Sequence, residues 1–224
     1  MVIKYEGVIF DLDGTLVDTY EHYIVSCIGK TLHQLGYVRD ISRREDYFVF
    51  AKRFWAGVKN RNIFVQEEFG CNPEDFWNTF ATFDSTEQRV KHSFAYYDCY
   101  ILEELKREGF KLGLCTDAPE ETAKLELALL PIQFDCVVCA DSANGIPEKP
   151  NPCGLLKCLE GLNLSTNQAL FLGNANVDVV TGRNAGVRTG VVVREPKYSY
   201  VSSSDFYVTD LIEFREKYLS GESL

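Results

Sequence analysis

From Tyr97 onward, helical and strand-like stretches take turns, and no other property of the chain restricts its fold as strongly. A helix over Asp98–Glu108, stopped by Gly109, leads to a strand at Lys111–Cys115, and a helix after Pro119 leads to an apolar strand within Phe134–Ala140. A third helix at Pro152–Gly161 precedes a strand at Ala169–Gly173, and a fourth at Asp178–Ala185 precedes one at Thr189–Arg194. A last strand is expected at Phe206–Val208, after a short polar loop at Ser202–Ser204. Strands joined through helices run parallel, with right-handed crossovers, so the expected class is α/β with a parallel sheet. The stretch between Thr19 and about Arg89 breaks this rhythm. Tyr20, Tyr23, Ile24, Cys27, Ile28, Thr31, Leu32 and Leu35 recur at helical spacing behind an Asp18/Glu21 capping box, and further helices are expected at Ser42–Gly57, Asn62–Phe69 and Pro73–Phe83. An apolar strand at Val8–Phe10 belongs with the later strands. The all-helical block, 19–90, is therefore an insertion into a core made of 1–18 and 91–224.

That first strand runs straight into Asp11-Leu12-Asp13-Gly14. Ligands of open α/β sheets bind beyond the carboxyl ends of the strands, and residues i and i+2 of a strand share a face. Asp11 and Asp13 are thus expected to look into one cavity. Two carboxylates so close repel unless they share a proton or a cation, and hard oxygen donors suit Mg²⁺. Two other strand ends carry polar chemistry: Thr116 and Asp117 follow Leu112–Cys115 and lead toward a helix, a setting suited to phosphate oxygens. Lys149 stands in the stiff loop Pro147-Glu148-Lys149-Pro150-Asn151-Pro152.

Composition limits the partners. The formal charge of −10 argues against nucleic acid, and no apolar run approaches the length of a membrane span. The N-terminal residues enter a strand at once instead of a signal peptide, so a cytoplasmic location is expected. Eight cysteines without an export signal read as reduced thiols, including the Cys136-Val-Val-Cys139 pair inside a strand, and three histidines give no zinc spacing.

The string Asp11-Leu-Asp-Gly-Thr-Leu-Val-Asp-Thr19 resembles the first signature of the haloacid dehalogenase-like hydrolase superfamily, and the chain as a whole resembles its phosphoglycolate phosphatase-like branch. The resemblance implies a Rossmann-like core with a helical cap inserted after the first motif. It implies that Asp11 is a nucleophile forming an aspartyl-phosphate and Asp13 a general acid/base, with Thr116 binding the phosphoryl group and Lys149 countering negative charge. Asp13 points to phosphoryl transfer, because the dehalogenating branch lacks it. The implied reaction is Mg²⁺-dependent hydrolysis of a small phosphorylated metabolite by a monomer or homodimer.

The chain departs from the family pattern at its last motif, Gly173-Asn174-Ala175-Asn176-Val177-Asp178, where Asn174 replaces an acid that binds Mg²⁺ in relatives. Asp11, the Asp13 carbonyl, Asn174 and Asp178 would then hold the ion. Two unit charges 4 Å apart interact by about 4 kcal/mol at an effective dielectric of 20, so one lost carboxylate implies weaker metal affinity. Asp117, where many relatives have Asn, adds a charge. Between Arg39 and Arg61, seven basic residues stand against three acids. Arg43 and Arg53 are candidates to meet a second anionic group on the substrate. The alternatives are a sugar-phosphate mutase and a non-catalytic phosphometabolite-binding protein in which Asn174 marks a decayed metal site.

Overall fold

The structure, a computed structural model, describes residues 5–37, 61–194, 201 and 203–219. In chain order these form β1 (Gly7–Phe10), β2 (Val17–Thr19), α1 (Glu21–Gln34), α2 (Arg61–Phe64) continuing as a π-helical turn (Val65–Phe69), α3 (Pro73–Phe83), α4 (Thr86–Lys91) and β3 (Ser93–Ala95). A 3₁₀ turn (Tyr97–Tyr100) then enters α5 (Ile101–Arg107), followed by β4 (Lys111–Thr116), α6 (Glu120–Leu127), β5 (Cys136–Cys139), α7 (Cys153–Leu162) and β6 (Ala169–Gly173). The chain continues through α8 (Asn176–Ala185), β7 (Arg188–Val192), β8 (Phe206–Val208) and α9 (Leu211–Tyr218). Six strands make one parallel sheet in the order β5-β4-β1-β6-β7-β8, and β2 pairs separately with β3.

The sheet is covered on both faces, which is why its strands read as unbroken apolar runs. Alternate residues of β1 serve opposite layers. Val8 and Phe10 pack with Leu102 and Leu105 of α5 and with Leu211 and Phe214 of α9. Ile9 packs on the other side with Leu155, Cys158 and Leu159 of α7. All three β1 side chains are fully buried, and burying each such side chain stabilises by about 1.5–3 kcal/mol. β1 is central, with Phe10 level with Leu114 of β4 and Leu172 of β6.

The chain divides into two compact units, one holding the sheet and the other built on Thr19–Ser93. The described part of the second unit is mainly helical. α1 buries Tyr23, Ile24, Cys27, Ile28 and Leu32 against Phe64, Val65, Phe69, Phe76 and Phe80. Phe76 stacks on Phe69 and Phe80 with ring centroids 5.7 and 5.9 Å away. Thr31, the polar position on that face, gives its hydroxyl proton to the Cys27 carbonyl at 2.8 Å. Pro73 opens α3 behind Asn72, whose Oδ1 accepts the Glu74 and Asp75 N–H groups, so the free donors of the first turn are satisfied.

Several local expectations are corrected. The Asp18/Glu21 capping box does not form: α1 begins behind Tyr20, which gives no side-chain cap and is about half exposed, while Asp18 lies in β2 and accepts the Tyr96 hydroxyl at 2.6 Å. The π-helical turn splits the Asn62–Phe69 helix, and α8 starts two residues before Asp178. The Ser42–Gly57 helix lies outside the described residues. Cys136 and Cys139, three apart on β5, face opposite sides of the sheet, and all eight cysteines are free thiols. No helix among the described residues is long and apolar enough to cross a membrane.

Candidate active site

The carboxyl ends of β1, β4 and β6, adjacent in the sheet, carry Asp11, Thr116 and Asn174 in their last or next residues. Asp11 leaves β1 with its N–H on the Leu172 carbonyl at 2.9 Å and is 5% exposed. The chain then folds back tightly: the N–H groups of Thr15, Leu16 and Val17 all point to the Leu12 carbonyl. Gly14 sits in this turn at φ +76°, and a Cβ there would collide with the Asn174 carboxamide. The side chain of Asn174 therefore lies directly against the Asp13–Gly14 turn.

Lys149 joins two strand ends through charge. Its Nζ donates to Asp11 Oδ1 at 2.6 Å and to Asp178 Oδ1 at 2.7 Å, with its side chain only 4% exposed. The loop that carries it is held on both sides. The Lys149 N–H donates to Asp117 Oδ1 at 3.0 Å, and Asn184 Nδ2 donates to the Pro150 carbonyl at 2.9 Å. Burial alone would push the ammonium down, but the attraction of Asp11, Asp178 and Asp117 outweighs it and keeps Lys149 protonated well above the ordinary lysine range.

Asp178 is spent on architecture as well as charge. Its Oδ2 accepts the Asn174 and Ala175 N–H groups at 3.1 and 3.0 Å, closing the loop that starts α8. This carboxylate lies so close under Gly173 that any Cβ there would collide with it. Asp11 has both oxygens engaged too, with Oδ2 accepting the Thr15 hydroxyl at 3.0 Å. Burial pushes its carboxyl up, Lys149 opposes that shift, and the like charges of Asp178 and Asp13 add to it. The charge of Asp13 is the smallest of these influences, and β1 ends before either residue. Thr116 is almost fully buried, and its Oγ1 accepts the Ala118 N–H at 3.0 Å, turning the chain toward α6.

The donor set can be tested against a divalent cation. Among the described residues no three Asp, Glu, His or Cys side chains form a metal cluster. Mg²⁺ needs less than that, since one or two carboxylates, water and substrate oxygens complete its shell. Asn174, one residue beyond β6, offers a carboxamide against the Asp13–Gly14 turn, which itself follows Asp11. These residues fit a site with few charged ligands. Asp178, with one oxygen on Lys149 and the other on two N–H groups, serves the lysine and the loop. Asp11, Asp13, Thr116, Asp117, Lys149, Asn174 and Asp178 all gather at this edge, whereas Arg43 and Arg53 lie outside the described residues.

Two charged residues that reach the turn after Asp11 were not anticipated from sequence: Arg194 directly and Asp98 through it. Arg194 follows β7 and donates from Nη1 to Asp98 Oδ2 at 2.6 Å, and from Nε and Nη2 to the Thr15 carbonyl at 3.2 and 2.5 Å.

Known proteins share both the sequence and the layout. A pyrophosphatase PpaX of Bacillus thuringiensis (strain Al Hakam) is 31% identical over 194 residues, covering 85% of this chain and 84% of that protein. A haloacid dehalogenase-like family hydrolase of Streptococcus pneumoniae superposes with a TM-score of 0.71 at 18% identity, covering 96% of this chain and 99% of that one. A HAD phosphatase of Thermococcus onnurineus gives 0.64 at 24% identity, covering 98% and 100%. Residues 8–192, the span from β1 through β7 on which every charged group of the strand-end site lies, match the model of haloacid dehalogenase-like hydrolases, and the chain is an enzyme belonging to that family.

Proposed function

We propose that the enzyme is a phosphoric monoester hydrolase that removes phosphate from a small phosphorylated metabolite through a phosphoryl group carried on Asp11. The observation that carries this reading is the buried Lys149 ammonium bridging Asp11 and Asp178 at a strand edge beside Thr116. A cation fixed 2.6 Å from a carboxylate favours its ionised form against the upward pull of burial and offsets the negative charge of an arriving phosphate.

In the first step an Asp11 oxygen attacks phosphorus, the O–P bond forms, and the bond to the leaving oxygen breaks as Asp13 gives it a proton. In the second, Asp13 takes a proton from water, whose oxygen attacks phosphorus and breaks the Asp11–phosphate bond. A carboxylate nucleophile divides one difficult displacement into two easier ones. Thr116 and Lys149 bind and orient the phosphoryl oxygens, because this chemistry depends on positioning and electrostatics. Asp11, the Asp13 carbonyl and Asn174 would hold Mg²⁺, which would supply further neutralisation of the phosphoryl oxygens. Residues 19–90 serve as the cap in this reading. The Bacillus relative named a pyrophosphatase supports a small substrate that carries two phosphoryl groups.

The test is phosphate release from a panel of small phosphoesters and inorganic pyrophosphate with Mg²⁺, using the parent, Asp11→Asn and Asn174→Asp. The reading expects turnover by the parent, none by Asp11→Asn, and saturation of Asn174→Asp at a lower Mg²⁺ concentration. A parent that is stabilised by phosphometabolites yet never releases phosphate, while Asn174→Asp does, would make the natural protein a binding protein. Slow net hydrolysis that requires a sugar bisphosphate would make it a mutase.

A further inference from the structure

We propose that Arg194 is a positioning residue for Asp11, acting through Thr15. The inference rests on the reading of Asp11 as the nucleophile. Four groups form one continuous hydrogen-bonded line: Asp98, Arg194, Thr15 and Asp11. At its near end the Thr15 hydroxyl donates to Asp11 Oδ2 at 3.0 Å, so the rotation of the carboxylate depends on where Thr15 stands. Thr15 is fully buried in the turn after β1, and its carbonyl is gripped by Nε and Nη2 of Arg194. The next carbonyl, that of Leu16, is held by the Tyr96 N–H at 3.0 Å and the Cys99 thiol at 3.2 Å.

Arg194 is itself fixed on three sides. Its guanidinium lies 4.0 Å from the centroid of the Tyr96 ring, its Nη1 meets Asp98 Oδ2, and its side chain is 8% exposed. Asp98 has no exposed surface. Its Oδ2 also accepts the Leu211 N–H at 2.6 Å, while its Oδ1 is buried without a hydrogen-bond partner. A carboxylate kept this far from water, with one oxygen unsatisfied, is costly to fold and is retained where its counter-ion must not move. The planar fork of arginine suits the task, since it can bind a carbonyl on one edge and a carboxylate on the other, which a lysine cannot do.

Arg194 touches the Thr15 carbonyl and Asp98, not Asp11 itself. Burial, Lys149, Asp178 and Asp13 are the groups that set the ionisation of that carboxylate. Arg194 therefore acts by geometry, and its loss has a distinct signature. Turnover falls, while affinity for the phosphoryl group and the pH limbs of the rate profile stay in place.

The experiment uses p-nitrophenyl phosphate at saturating Mg²⁺, well below the melting temperature of each variant. Because Arg194→Met alone strands the Asp98 carboxylate, it is made together with Asp98→Asn, which leaves no buried charge uncompensated. The expected result is a fall in kcat of about 10-fold or more, with KM changed less than about twofold and the pH profile unmoved, as a small misplacement of a reacting group produces. Arg194→Lys should recover part of the loss. Thr15→Val should show a similar fall, and adding it to the Arg194 variant should lower kcat no further, because both break the same line. Parental kcat in the folded Arg194→Met/Asp98→Asn protein, or in Thr15→Val, overturns the proposal, as do fully additive losses. Asp11→Asn run in parallel separates the two readings: if it retains activity, the nucleophile assignment fails, and if it is inactive while the Arg194 variants turn over normally, only the positioning role fails.

Discussion

Buried charge is concentrated in the sheet-bearing unit, where Asp11, Asp98, Glu126 and Asp178 are at most 5% exposed and the side chains of Lys149 and Arg194 are under 10%. In the helical unit the buried polar residues among those described are Thr19 and Thr31, and the interior is an aromatic stack centred on Phe76. One unit thus accepts the cost of desolvating ions to hold a rigid arrangement of unlike groups. The other spends its interior on apolar contact, which fixes a surface without fixing any particular charge.

That contrast predicts that a large cavity in the helical unit costs stability and leaves the chemistry alone. Phe76→Ala is expected to destabilise by about 3–5 kcal/mol, read by denaturant unfolding, with the pH profile of kcat unchanged in the folded fraction. A shifted profile would break the comparison. Lys149→Met should do the reverse of a pure packing change. It leaves Asp11 and Asp178 facing each other without a cation, and kcat should fall at least about 10²-fold, or about 2.7 kcal/mol of barrier. A small effect there would mean that the buried ions of the sheet unit are structural only. Gly14→Ala forces a side chain into a left-handed conformation against Asn174. It should cost about 1–2 kcal/mol of stability and raise the Mg²⁺ concentration needed for half-maximal turnover, because Asn174 must move.

The smallest effect is expected at the surface. Lys217 and the Thr209 N–H and hydroxyl hold the Glu213 carboxyl down at about 2. A carboxyl lowered in the folded state gives stability above its unfolded value, near 4.5, which is lost as pH falls toward 2. Exposed pairs contribute about 0–1 kcal/mol, so Glu213→Gln should shift the melting temperature slightly at pH 7 and not at all near pH 2. A large shift would show that exposed charge in the sheet unit also carries weight.

The layered fold and most strand-end residues were legible because both depend on local pattern. A parallel strand is continuously apolar, and its first polar residue marks the strand end, which singled out Asp11 and Thr116 from pattern alone, whereas Asn174 came from the resemblance of its motif to the family's. Lys149 was legible from its proline frame because that frame resembles the setting of a lysine in the family. Asp98 and Arg194 were not, since they are far apart in the chain and a charged residue in sequence gives no sign that it is buried. The Asp18/Glu21 cap failed for a similar reason. Its local pattern was correct, but the pairing of β2 with β3, between segments far apart in sequence, drew Asp18 into a strand. Three-residue strands are too short to leave a periodic trace.

The parallel register of β4, β1 and β6 has a consequence for how the gene can change length. Adjacent strands lock together at Leu114, Phe10 and Leu172, so each strand acts as a measuring rod that delivers its terminal side chain at a fixed height. One residue inserted into β1 would advance Asp11 by about 3.3 Å and turn it to the opposite face of the sheet. Insertions and deletions should therefore be excluded from these three strands, while the turns at the opposite edge of the sheet, such as the one at Gly109, remain open to them.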